Sequence, residues 1–382
     1  MLSSGSSKRR RKTTLIGSGH SRLLKILHID PEKNWGGGEA QVFGLLAYLA
    51  EQGHRNDLLT HPHGKLWEQS HKLNVRCFPL VVRNELDVRE IPKIRRLIRA
   101  EKYDVVHFHT KRAHALSPWL PRGQDRPRYV VTRRMDYPQT NNWYTRYLYN
   151  RRVDAVIAIS RPIADVLISA GVEAGKIRVI HSGIDRARFP GAERESTSEP
   201  GTPMIGTVAH LEARKGHRYL LQAARLLKDQ GYVFKIALAG EGSLKQELAD
   251  MAQALGLAAE VSFLGFISDV PKFLAAIDIF VLPSLYEGLG VAALEAMAAG
   301  KAVVASRVGG LADLVKDSET GFLVPPADAQ ALAAAVAKLL EEKALRAAFG
   351  QKGATRVREH FTIEEMAKRN EECYYAMLRG AA

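Results

Sequence analysis

The chain has 382 residues, 46% of them apolar and 25% charged, which is long for one domain and suits a soluble protein with two ordinary cores. No apolar run approaches bilayer-spanning length, the basic run Lys8-Arg9-Arg10-Arg11-Lys12 lacks the apolar core of a secretory signal, and two distant cysteines, Cys77 and Cys373, make neither a disulfide framework nor a cysteine metal cluster, so a reducing cytosol is expected. The net charge of +14 sits in one half: residues 1–200 hold 35 Lys and Arg against 20 Asp and Glu, residues 201–382 hold 20 against 21, so an anionic partner (membrane surface, acidic acceptor or nucleic acid) would meet the first half.

In chain order, residues 1–22 are rich in Ser, Gly, Lys and Arg and are expected to be disordered. A strand over 25–29 runs into Asn34-Trp35-Gly36-Gly37-Gly38-Glu39, and a helix follows over about 40–52 with Val42, Leu45, Leu46 and Leu49 at helical spacing. Three glycines between a strand and a helix N-terminus make a turn suited to phosphate, although the pattern is not the GxGxxG of dinucleotide enzymes. Strands are predicted over 55–60, 75–80, 104–107, 128–132, 155–159 and 176–180, with a helix over 89–102. This βαβ alternation predicts a parallel sheet covered by helices on both faces. Residues 191–202, polar with Pro and Gly, read as a linker.

The second half repeats the pattern, with strands near 204–208, 234–239, 261–264, 279–282, 302–305 and 321–324 and an amphipathic helix over 217–229. Its centre is the stretch 280–300, FVLPSLYEGLGVAALEAMAAG. A buried strand ends at Pro283; Glu287 stands at the strand-to-helix turn; Gly288-Leu289-Gly290 lets the backbone approach a ligand; Glu295 is expected about two turns into the helix, near the same face. The segment thus offers two carboxylates for sugar hydroxyls beside a helix start able to hold an anion. The spacing of Glu287 and Glu295 is by itself equally compatible with two unrelated surface glutamates.

The run 283–326 resembles the donor-binding signature of retaining GT-B glycosyltransferases of family 4. Two further stretches extend the resemblance: His181-Ser182-Gly183-Ile184-Asp185 with Phe189, where Ser182 stands in place of the usual Asn, and Ala209–Gly216, where the family's Gly-Arg-Leu-x-x-x-Lys-Gly has His210 in place of Arg and keeps Lys215. The resemblance implies the α/β GT-B fold: an acceptor-binding Rossmann-like domain over 23–190, a nucleotide-sugar-binding one over 203–361 facing it across a cleft, and a C-terminal helix within 362–382 that crosses back to the first domain. It also implies transfer of a sugar from a nucleotide-diphosphate sugar with retention of anomeric configuration, in lipopolysaccharide or other cell-surface glycan biosynthesis.

The resemblance distributes the roles as follows. Lys215 holds the diphosphate, with His210 and Arg214 as further donors nearby; Arg214 reads equally well as a surface charge. Glu295 accepts from the ribose and Glu287 from the donor sugar, without acting as a nucleophile. Gly37, Gly38, Gly288, Leu289 and Gly290 face phosphate and sugar with their backbone, the Gly240-Glu241-Gly242 turn matches the family's Gly-Asp-Gly, and Gly265 and Phe266 meet the base. Val130-Val131-Thr132-Arg133-Arg134 matches a stretch that ends in His in many members. Arg134 cannot act as a base at neutral pH but can stabilise negative charge; if Arg134 instead points to solvent, His109 or Asp136 fills the pocket. No metal is expected, and His107 with His109 reads as polar lining of the cleft rather than as a metal site.

The acceptor side is carried by first-domain loops, 110–121 and 133–152; the second mixes arginines with Trp143, Tyr144, Tyr147 and Tyr149, which suits a glycan or lipid-linked acceptor at an anionic membrane surface, or a partly buried aromatic helix with solvated arginines. A cytoplasmic protein, peripheral on the inner face of the membrane, is the corresponding expectation. Nucleic acid is not expected as a partner, because no RNA-binding motif occurs and the second half is not basic. A nucleotide-sugar 2-epimerase and a non-catalytic nucleotide-sugar or anionic-surface binder remain open on the residues alone.

Overall fold

The structure, a computed structural model, describes residues 22–134, 139–189 and 201–380. Residues 191–200 of the expected linker and nearly all of the basic N-terminal segment, with Asp136, lie outside the described residues.

Seven strands form the first sheet: β1 (Lys25–Asp30), β2 (Arg55–Thr60), β3 (Arg76–Pro79), β4 (Val105–Phe108), β5 (Arg128–Arg133), β6 (Ala155–Ala158) and β7 (Ile177–Val179). Six form the second: β8 (Met204–Val208), β9 (Lys235–Ala239), β10 (Val261–Gly265), β11 (Ile279–Leu282), β12 (Ala302–Ser306) and β13 (Gly321–Val324). The orders are β3-β2-β1-β4-β5-β6-β7 and β10-β9-β8-β11-β12-β13, with every pairing parallel. Parallel pairing forces each connection to cross over, and covering helices then bury both sheet faces, which is why the central strands read as continuous apolar runs. Ile279, Phe280, Val281 and Leu282 of β11 are all fully buried.

In each sheet the order reverses beside the first strand, between β1 and β4 and between β8 and β11. Ligands of doubly wound sheets bind outside the carboxyl ends of strands at this switch. The loops after β1, β8 and β11 are those that carry Gly37, Lys215 and Glu287, so both sheets aim distinctive residues at their own switch point.

The last helix, Ile363–Arg379, crosses back to the first domain, as the GT-B resemblance implies. Met366, Ala367, Cys373 and Tyr374 join Leu24, Ile26, Leu45 and Leu49 in one apolar cluster. The crossing is pinned by paired backbone bonds: Ile184 N–H donates to Phe361 C=O at 3.0 Å and Ile363 N–H to Ile184 C=O at 3.1 Å. Buried polar contacts add to it, with His54 Nε2 2.9 Å and Tyr48 Oη 3.2 Å from the Glu371 carboxylate.

Two predicted boundaries move. The first helix begins at Gly37, so Gly37 and Gly38 belong to its first turn. The reason is a capping box: the Glu39 carboxylate turns back to accept the Gly36 N–H at 2.7 Å, which holds the glycines helical. The helix after Glu287 begins at Val291, which puts Glu295 one turn inside it and not two.

Candidate functional site

The site is built on two turns that dock on each other. The turn Ala213–Lys215 follows β8, and Gly216 ends it with φ +66°; a Cβ there would stand 2.0 Å from the Pro283 carbonyl oxygen, so only glycine lets the turn lie against the end of β11. Leu285 N–H donates to Arg214 C=O at 2.7 Å and closes the contact. As a result Lys215 Nζ lies 2.5 Å from Glu287 Oε1, with both side chains nearly buried. An ammonium and a carboxylate this close and this dry form a charge-assisted bond that fixes both groups in place.

The first domain meets this pair from across the cleft. Gly288 touches the backbone of Arg134, and Gly38 faces the Arg134 side chain, with its Cβ direction 3.5 Å from Arg134 Cδ. Gly37 faces Val291 of the second domain at 3.7 Å. Arg134 therefore stands between the two glycine segments and does not point to solvent; its Nε is buried without a hydrogen-bond partner. Burial lowers its pKa, while Asp30 and Glu39 favour the charged form. Asp30, at the end of β1, was not singled out by any motif. It is buried, and burial together with the nearby Glu39 pushes its carboxyl up to about 7, against the Glu32 N–H bond and Arg134. A sequence signal exists only in hindsight: an Asp closing an apolar strand just before a glycine run.

Beneath Arg134 lies a buried polar layer, and here the expectation of cleft-lining histidines is corrected. His107 and His109 are each 1% exposed: His107, on β4, bonds Tyr374 of the C-terminal helix, and His109, the residue after β4, packs on the His107 ring. His28, register partner of His107 on β1, joins them. His28 bonds Asn56 at 3.2 Å and His109 at 3.0 Å; His107 bonds Thr132 Oγ1 and Tyr374 Oη, both at 2.7 Å. Only His109 Nδ1 among these ring nitrogens lacks a partner. Ligand nitrogens of the three lie within 4.8 Å of one another. Burial holds all three neutral, His28 down to about 4 and the other two well below their ordinary value.

The other expected residues are placed less tightly. Glu295 faces Arg188 at 3.5 Å, and burial raises its pKa. Arg214 pairs with Glu212 at 3.0 Å, and His210 is exposed. Gly240 N–H donates to Gly265 C=O at 2.8 Å and Leu211 N–H to Glu241 C=O at 2.9 Å, so the turns after β8, β9 and β10 form one continuous rim on which Phe266 is exposed. Leu289 is buried.

With this geometry the chain was compared with known proteins. Residues 35–188 match the family described as Glycosyltransferase Family 4, and residues 191–356 match Glycosyl transferases group 1. The lipopolysaccharide core biosynthesis glycosyltransferase LpsE of Rhizobium meliloti (strain 1021) is 29% identical over 333 residues, 86% of this chain and 93% of its own. The lipopolysaccharide core biosynthesis mannosyltransferase LpcC of Rhizobium leguminosarum bv. viciae is 32% identical over 245 residues, 62% of this chain and 68% of its own. Anabaena Alr3699/HepE, solved in complex with UDP-glucose, superposes with a TM-score of 0.77 over 92% of this chain and 100% of its own at 22% identity, which establishes the shared fold. Both halves of the chain match, and each match falls on the sheet that carries its motifs: the chain belongs to the family 4 glycosyltransferases, with the GT-B architecture.

Proposed function

We propose that the protein transfers a sugar from a nucleotide-diphosphate sugar to a glycan or lipid-linked acceptor with retention of configuration, in the assembly of lipopolysaccharide or another cell-surface glycan. The observation that carries this reading is the Lys215–Glu287 pair at the switch point of the second sheet, directly across the cleft from Arg134. In this reading the Lys215 ammonium neutralises charge building on the leaving diphosphate and Glu287 accepts from a donor-sugar hydroxyl. Glu295 accepts from the ribose once Arg188 yields. Arg134 adds positive charge from the first domain, and closure of Gly288 on its backbone excludes water. The acceptor hydroxyl forms its bond to the anomeric carbon on the face from which the phosphate oxygen leaves, and its proton passes to that oxygen. No step needs a metal. The names of LpsE and LpcC support the lipopolysaccharide assignment, and the UDP-glucose complex of HepE supports the donor class.

A thermal-shift panel of nucleotide-sugars identifies the donor, since a ligand at a hundred times its dissociation constant stabilises by about 2.7 kcal/mol. Transfer is then followed in chelator, with the product anomer read by NMR. An α-linked donor giving a β-linked product overturns retention, and conversion of the donor without acceptor makes the protein an epimerase. Glu295→Ala is expected to weaken nucleotide binding; Glu287→Ala is expected to spare nucleotide binding and lower transfer. Arg134→Ala should lose turnover that Arg134→Lys partly restores; wild-type turnover in Arg134→Ala removes it from the mechanism.

A further inference from the structure

Many arginines of the first domain are paired with acids, and a cluster of them is not. Arg55, Arg76, Arg89, Arg112, Arg126 and Arg128 each reach a carboxylate. Arg95, Arg99, Arg122, Arg146 and Arg151 do not: among the described residues none of these five forms an ion pair. Where they bond, they bond neutral groups. Arg95 donates to the Trp119 carbonyl at 2.6 Å, Arg122 to the Tyr147 hydroxyl at 2.6 Å, and Arg146 to the Asn141 side chain at 2.9 Å.

The five unpaired arginines are neighbours. They line two adjoining open pockets of about 570 Å³ each, which share Tyr147. Glu173 is the one acid on either lining. Between the arginines stand indoles that ordinary folding would bury: Trp143 is 78% exposed and Trp119 51%. Buried hydrogen bonds brace the surface. Arg152, buried beneath it, donates to the carbonyls of Ser117 and Leu120 and so clamps the loop that carries Trp119. Asn142 caps the short helix Trp143–Arg146, which runs into a single π turn, Tyr147–Arg151.

We infer that this face of the first domain, centred on Trp119 and Trp143, is the surface by which the protein docks on a negatively charged lipid bilayer. Five guanidinium groups held together without counter-charge repel one another, and a dense array of phosphates removes that cost. Guanidinium forks match phosphate oxygens in geometry as well as charge. Indole and phenol rings settle at the headgroup level, with the ring in the apolar layer and the N–H or O–H in water. No described helix is long and apolar enough to cross a membrane, so the attachment is peripheral. The inference deepens the reading in which the acceptor is lipid-linked, because docking on this face brings the acceptor-binding domain to the bilayer, but it rests on residues outside the donor site.

The test is flotation of the full chain with vesicles of phosphatidylcholine alone and of phosphatidylcholine containing phosphatidylglycerol. Binding to the anionic vesicles only is expected. Arg99→Ala with Arg122→Ala should bind about 30-fold more weakly, since each basic residue at an anionic surface contributes about 1 kcal/mol. Trp143→Phe should reduce the blue shift of tryptophan emission on vesicle binding, and adding Trp119→Phe should abolish most of it. Unchanged melting temperature in these variants, and unchanged transfer to a soluble acceptor in the arginine variant, separate docking from folding and from catalysis. The inference is overturned by equal binding to both vesicle types, or by wild-type binding in the arginine variant. It is equally overturned if neutralising Lys8–Lys12 alone abolishes binding, or if a single-stranded oligonucleotide binds more tightly than the vesicles. Absence of sugar transfer in the wild-type protein would remove the proposed function and leave the docking result standing.

Discussion

Gly288 and Arg134 touch across the cleft: a Cβ at position 288 would stand 2.2 Å from the Arg134 carbonyl oxygen. The two domains are therefore closed on each other where a donor-domain turn meets a first-domain strand end, and the contact leaves no room for a methyl group. Gly288→Ala has to part the domains by on the order of 1 Å, and misplacement of that size costs about 100-fold in rate. Steady-state kinetics should show that loss in kcat/KM with nucleotide binding to the second domain nearly unchanged. An Ala variant with wild-type turnover would mean that the closed contact is not the reactive one.

Lys215 and Glu287 are expected to behave as a unit in folding as well as in transfer. Glu287→Leu leaves the Lys215 ammonium nearly buried beside an apolar group, and breaking a buried pair in this way costs about 3–5 kcal/mol. Adding Lys215→Met should return most of that stability in urea unfolding, because two apolar groups of similar volume replace the pair. Neither variant should transfer sugar. A double variant no more stable than Glu287→Leu would show that the pair does not carry the coupling.

Asp30 gives stability an unusual pH slope. Its folded pKa of about 7 lies above the unfolded value near 4, so the folded state keeps a proton that the unfolded chain releases. The stability it contributes is complete below pH ~4 and is lost as pH rises through about 7. Asp30→Asn should match wild type at pH ~4 and be the more stable protein at pH ~8, by up to a few kcal/mol at roughly 1.4 kcal/mol per pKa unit. Denaturant midpoints across this range check it, and an Asn variant less stable at pH 8 would place the carboxylate in a bond that stabilises its charged form.

The histidine layer acts with the opposite sign. His28, His107 and His109 are held neutral by burial, with His28 at about 4 against an unfolded value near 6.5. Their contribution is present above pH ~6.5 and is lost as pH falls toward 4. Three histidines outweigh one aspartate, so the protein should lose stability over that window, and His28→Asn should flatten the slope. Tyr374→Phe tests the same layer without a charge change: it strands His107 Nδ1, for about 1–3 kcal/mol, and should loosen the C-terminal helix in hydrogen exchange.

Much of this molecule is written in local pattern. Periodicity placed all thirteen strands within a residue or two, because parallel strands buried on both faces are short continuous apolar runs. Glu287 and the glycine turns stood out in the sequence because glycine lets a backbone approach a ligand, and Lys215 was singled out by the family resemblance alone; the structure brings Lys215 and Glu287 together. Strand order was not legible, since nothing in a strand records which neighbour it will pair with, and strand order is what puts His28 beside His107 and the loops of β8 and β11 side by side. For the same reason His107 and His109 were expected at the cleft and are buried, His107 against a helix that arrives from the far end of the chain. Asp30 could not be found from its neighbours in sequence: its raised pKa comes from burial and from Glu39 turning back to cap the first helix. The charge imbalance between the halves was visible in composition, but only the fold gathers five arginines that meet no carboxylate around Trp119 and Trp143. Pairing, burial and charge compensation are relations between residues distant in sequence, and they exist only once the chain has closed on itself.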